Sequence, residues 1–151
     1  VIAAYRRERE RLAEEELDGV RELQYRRPAQ GLGLDSGQVR RVVEDWMLRR
    51  PLAHLRGCRY ANVADFVDDL KGRDLQVAVL SDYPAAEKLT ALELAVDWTV
   101  GATDPEVDRL KPHPKGLHRV LELAGVAADR TVMIGDRDDR DGECARRAGV
   151  S

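Results

Sequence analysis

Asp136 and Asp141 follow directly on the apolar run at residues 132–134, with Gly135 between the run and the first acid. A short apolar run closed by Gly reads as a buried strand. The residues after it read as an acid-rich turn and then a helix that Gly149 ends. Ligands of open α/β sheets bind at the carboxyl ends of the strands. A strand tip carrying these two acids therefore offers a place for a hard cation. Oxygen ligands of this kind suit Mg²⁺, which is held by one or two carboxylates together with substrate phosphate. A polar turn with solvated acids is the alternative reading of the same stretch.

Two further groups stand in comparable places. Ser81, with Asp82 after it, ends the apolar run at residues 75–80, and Lys111 opens Lys111-Pro112-His113-Pro114. The prolines there restrict the backbone around the lysine. Phosphoryl transfer uses such parts. A hydroxyl and backbone N–H groups at a strand-to-helix turn hold phosphate oxygens. A lysine and a carboxylate-bound metal neutralise charge on the transferring group. Taken singly, Ser81 could be only a helix cap and Lys111 only a solvated charge.

The elements that must position these groups alternate after Asn62. A helix with Val63, Phe66, Val67 and Leu70 on one face ends at Gly72 and is followed by the strand leading to Ser81. A helix over residues 85–94, a strand over 96–100, a helix over 117–123 and the strand before Gly135 come next. This order signals parallel βαβ units. The first fifty residues are different. Residues 1–23 read as one solvated helix with a narrow apolar edge and i,i+4 pairs Arg6/Glu10 and Arg11/Glu15. Residues 26–37 read as a loop. Asp35 or Ser36 then caps a helix whose apolar face is Val39, Val42, Val43, Trp46 and Met47, with Trp46 and Met47 expected in the core and Pro51 as the stop. The expected division is a helical unit at residues 1–58 and an α/β unit at residues 59–151.

Composition narrows the function. The 151 residues carry 25 basic and 28 acidic side chains, a formal net charge of −3. This near balance argues against nucleic acid as a partner. No apolar run reaches the ~18 residues of a membrane span. No membrane partner is expected, and no signal peptide is visible. Cys58 and Cys144 follow no metal-ligand spacing and read as free thiols in a reducing, cytoplasmic compartment. A homodimer is left open. Val1 lies inside a helical pattern and residues 148–151 stop where a further strand is expected, so both ends read as interior to a longer protein.

The order of Val77-Ala78-Val79-Leu80-Ser81, then Lys111-Pro112-His113-Pro114, then Gly135-Asp136 with Asp141, Ala145 and Gly149 resembles the haloacid dehalogenase superfamily. The resemblance covers its second, third and fourth motifs, from about Asn62 to the end of the chain. It implies an α/β, Rossmann-type parallel sheet with a small all-helical cap. The cap, around Val39, Trp46 and Arg49, would close over the site and help to choose substrates. By the same resemblance Ser81 binds phosphoryl oxygens, Lys111 pairs with nucleophile and phosphate, Asp136 ligates Mg²⁺, and Asp141 holds a metal-bound water or Lys111. Asp82 stands beside the phosphate where the family often has Asn, and its side chain is expected to turn away. The implied activity is an Mg²⁺-dependent phosphatase on a small phosphorylated metabolite, through an aspartyl-phosphate intermediate. A non-catalytic binding or regulatory module and a dehalogenase are the alternatives.

The family's first motif, Asp-x-Asp after a central strand, has no match before Asn62. Asp18 and Asp35 stand alone there, and Asp136-Arg137-Asp138 belongs to the fourth motif. The nucleophile is expected outside this sequence, on an upstream segment of about 15–25 residues whose strand lies between the one ending at Ser81 and the one ending at Gly135.

Overall fold

The computed structural model describes residues 1–151. Its first part is all helical: α1 (Ile2–Glu15), α2 (Val20–Leu32), α3 (Ser36–Val43), a π-helical segment Glu44–Arg49 and α4 (Leu52–Cys58). The single helix expected over residues 1–23 is two, because Glu16 and Gly19 both adopt left-handed backbone and turn the chain. The loop expected from residue 26 is instead the continuation of α2 through Pro28 to Leu32, with Gly33 as its cap. Tertiary burial of Tyr25 and Ala29 overrides the local breaking signal there. Asp35 caps α3 as expected: it accepts from Gly37 N at 2.8 Å, while Asp35 N donates to Gln38 Oε1 at 3.0 Å. Val39 and Val43 are fully buried against Tyr5 and Tyr25, whose rings stack with centroids 5.7 Å apart.

Trp46 departs from the expected core position and is 55% exposed, with the Arg50 guanidinium 4.0 Å above its ring. The wider π turn of Glu44–Arg49 rotates it off the face that Val39 and Val43 define. Met47 still packs on that cluster.

The second part begins with α5 (Val63–Gly72). Of its expected apolar face only Val67 is buried, and Phe66 is half exposed. Then follow β1 (Ala78–Ser81), α6 (Ala86–Ala91), β2 (Trp98–Gly101), α7 (Lys115–Ala124), a π-helical turn Asp138–Gly142 and α8 (Glu143–Ala148). β1 and β2 pair in parallel, Ala78 opposite Trp98 and Ser81 opposite Gly101. Helix α7 lies close on β1, where a methyl group at Gly116 would come 2.7 Å from Leu80 Cδ1. Val100, Val107, Leu117, Val120, Cys144, Ala145 and Val150 form the core of this half. A third cluster, Leu12, Ala13 and Val20 with Ala102 and Leu110, joins the helical part to it.

The run at residues 132–134 is not the buried strand that its composition suggests. Val132 and Ile134 are 72% and 83% exposed. Only Met133 turns into the core. The backbone of the run bonds to Ser151 alone: Met133 N to Ser151 O at 2.8 Å, and Ser151 N to Thr131 O at 3.4 Å. It makes no hydrogen bond to β1, and the sheet is two-stranded. The two segments expected to flank a further strand are thus not paired with each other. The architecture is α/β, a two-stranded parallel sheet with helices packed on it, preceded by an all-helical part. No helix is long and apolar enough to cross a membrane.

Candidate active site

Ser81 closes β1 and Tyr83 N donates to its Oγ at 3.2 Å, so the hydroxyl is pinned in the tight turn after the strand. Asp82, next in the turn, accepts from Lys111 N through Oδ1 at 3.1 Å. Burial raises the Asp82 pKa above the ordinary aspartate value, opposed by the Lys111 charge and by that hydrogen bond. The Lys111–Pro112 peptide is cis.

The lysine side chain reaches the other end of the site. Lys111 Nζ lies 2.5 Å from Asp141 Oδ1, and both side chains are largely buried. The second oxygen of Asp141 accepts from Arg137 N at 3.2 Å. Gly135 makes this approach possible, because a methyl group at that position would overlap the Asp141 side chain. Asp136 is exposed and has no hydrogen bond or ion pair, leaving both its oxygens free. No group of three or more His, Cys, Asp or Glu side chains is arranged to enclose a metal ion.

Ser81, Asp82, Lys111, Asp136 and Asp141 line one cavity of about 230 Å³. Three separate segments of the chain thus bring their singled-out residues to one place. A larger cleft of about 540 Å³ lies between the π-helical segment and residues 84–88, and contains none of the five. Arg49 lines that cleft, not the smaller cavity.

The helical part reaches the small cavity through α1 instead. Arg9, Glu10 and Ala13 line it beside Tyr83, Leu110, Arg137 and Arg140. Arg9 is only 4% exposed, contrary to the solvated face expected for this helix. Its guanidinium donates to the Asp82 carbonyl and to Gln24, and lies 4.3 Å from the Tyr83 ring centre. Nor do the local ion pairs expected along α1 form: Glu10 pairs with Arg137 and Arg140, Glu15 with Arg27, and Arg11 with Glu8. Hydrogen bonds from Arg137 first, then Arg140, hold the Glu10 carboxyl below its ordinary value against the opposing effect of burial. Nothing in the run of charges on α1 marks Arg9 and Glu10 as different from their neighbours. Arg137 and Arg140 lie inside the acid-rich stretch, where each has an acid on both sides in the chain.

Behind the site Cys144 is buried, and burial pushes its thiol up to about 11, which keeps it neutral. Cys58 is exposed, and both cysteines are free.

A family model for haloacid dehalogenase-like hydrolases matches residues 3–149 of the chain. The chain is similar to the phosphoglycolate phosphatase of Escherichia coli (strain K12), with 30% identity over 93 residues. That alignment covers 60% of this chain and 36% of the relative. The phosphoglycolate phosphatases of Shigella flexneri and Shigella sonnei (strain Ss046) match with the same identity and coverage.

Proposed function

The chain belongs to the haloacid dehalogenase-like hydrolases, and from that premise we propose that it is part of a phosphatase acting on a small phosphorylated metabolite, with Mg²⁺ as cofactor. The observation that carries this reading is the convergence of Ser81, Lys111, Asp136 and Asp141 on one small cavity. The relatives named above are phosphoglycolate phosphatases, which supports a short phosphate monoester as substrate.

Each residue has a task in this reading. Ser81 Oγ already accepts from Tyr83 N, so its O–H is available to donate to a phosphate oxygen. Lys111 Nζ bonds Asp141 and has two further N–H donors for the phosphoryl group. Asp141 fixes the lysine and is itself fixed by Arg137 N. Asp136 supplies a free carboxylate for Mg²⁺, a cation that needs only one or two carboxylates beside waters and substrate phosphate. When bound, the ion would neutralise negative charge on the phosphate. The attacking carboxylate is assigned, on the family pattern, to an aspartate carried by a strand seated at the free edge of β1. The ligand in this reading is the small substrate, with neither nucleic acid nor membrane as a partner. Two free thiols agree with a cytoplasmic setting. A non-catalytic binding module is the second reading, favoured by one observation: of the acids discussed at the cavity, Asp136 alone is unengaged.

Equilibrium titration of the full chain with inorganic phosphate, with and without Mg²⁺, tests the assignment. Mg²⁺ should tighten phosphate binding, and Asp136→Asn should remove that effect. Lys111→Met should weaken phosphate binding by about tenfold or more, the value of one charge-assisted contact. Phosphate affinity indifferent to both substitutions would overturn the reading. Turnover of 2-phosphoglycolate by protein that also carries the strand with the attacking aspartate then separates hydrolase from binding module.

A further inference from the structure

Helix α1 brings an anion to the rim of the cavity. Glu10 Oε2 lies 2.9 Å from Arg140 Nη2, and Glu10 Oε1 lies 3.1 Å from Arg137 Nη1. Arg140 is 7% exposed. Its remaining partners are the Lys111 and Glu10 carbonyls, each at 3.5 Å, and the Asp139 carboxylate at 3.6 Å. Arg137 is shared between Glu10 and Asp139, the latter at 2.8 Å. Two guanidinium groups thus converge on a single carboxylate whose own side chain is half exposed.

The three groups line the same cavity as Ser81, Lys111 and Asp136. They belong to two different parts of the chain. Glu10 is on the helical part, and both arginines are on the segment between residue 136 and α8. Any displacement of α1 from this segment removes the carboxylate from both guanidinium groups at once. A buried guanidinium then lacks its best anion, and a planar carboxylate on an incoming ligand fits the guanidinium fork better than water does. The cavity, at about 230 Å³, has room for a phosphate with a short acid chain.

We propose that Arg137 and Arg140 form a second anion subsite, which selects phosphate monoesters carrying a carboxylate and is filled by Glu10 when no ligand is bound. This rests on the phosphate-site reading above, and it names the substrate class for that site: short-chain phosphorylated carboxylic acids. Glu10 is a positioning residue that competes with the substrate carboxylate; the two arginines contact that carboxylate.

Calorimetric titration of the full chain, with Mg²⁺ present, against 2-phosphoglycolate and ethyl phosphate isolates the subsite, since the two esters differ by carboxylate against methyl. The wild type should prefer 2-phosphoglycolate by about tenfold or more, as expected for one charge-assisted contact. Glu10→Gln should tighten 2-phosphoglycolate by roughly threefold or more and leave ethyl phosphate nearly unchanged. Arg140→Gln should abolish the preference while ethyl phosphate still binds. The exposed Arg137→Gln, which cannot open a buried hole, should reduce it. Equal affinities in the wild type, or parallel changes in both esters on Glu10→Gln, would overturn the subsite and leave the phosphate site standing. Binding of neither ester would remove both.

Discussion

The helical part and the sheet part of this chain bury apolar surface by different means. Around Tyr5, Tyr25, Ala29, Val39 and Val43, three helices close a small core whose members are all buried. Each helix satisfies its interior backbone groups within itself, so only side chains need partners. The sheet part has a core of its own behind β2, α7 and α8, yet Val132 and Ile134 remain in solvent one segment away. A strand satisfies its backbone through neighbours on both sides, and residues 132–134 have only Ser151. The difference teaches that a helical unit can be complete locally where a sheet depends on every member. The ion pair of the sheet part with both side chains largely buried lies in its polar site, at Lys111–Asp141.

The largest effect that would sharpen this contrast is on that pair. Lys111→Met leaves Asp141 buried beside the Arg137 N–H alone, and should cost about 3 kcal/mol, as when one partner of a buried ion pair is removed. Adding Asp141→Leu should recover most of the loss. Urea unfolding of wild type, both single variants and the double variant measures it. Additive losses in the double variant would mean that the two groups are not coupled.

A smaller effect compares the two parts through similar truncations. Val43→Ala removes fully buried methyl groups from the helical core and should cost about 2 kcal/mol. Ile134→Ala removes more atoms, but from solvent, and should stay within about 0.5 kcal/mol. A loss at Ile134 equal to that at Val43, read from melting curves of the same full chain, would mean that the outer face of residues 132–134 is covered.

The smallest effect is a pH dependence at Asp82. Burial raises its folded pKa, so the folded state favours the neutral acid. The wild type is therefore penalised above that folded value, and the penalty vanishes as pH falls through it toward the ordinary ~3.9. Asp82→Asn keeps an oxygen for Lys111 N and removes the charge. It should raise the melting temperature at pH 7, with the gain shrinking as the solution is acidified. A gain constant between pH 7 and pH 4 would assign it to packing.

Much of the site could be read before the fold. Ser81, Lys111, Asp136 and Asp141 are identified by type and order, and they meet in one cavity. The caps at Asp35 and Gly149 were equally readable, since they act within a few residues of themselves. Trp46 misled because its period is that of an α-helix, and the chain there winds as a π-helix. Phe66 misled because an apolar face promises burial only if another element arrives to cover it.

What the sequence determined by itself is therefore local: caps such as Asp35 and Gly149, which segment ends in which polar group, and the order in which those groups recur. The tertiary structure alone decided which charges are solvated. Arg6/Glu10 and Arg11/Glu15 are spaced to pair along α1, an interaction worth a few tenths of a kcal/mol in water. Glu10 instead faces Arg137 and Arg140, more than 120 residues away, and Arg9 is buried against Asp82 and Tyr83. A guanidinium removed from water needs an anion or a ring far more than an exposed one does. Which arginines lose their water is set by the packing of distant segments, and no spacing along the chain encodes it.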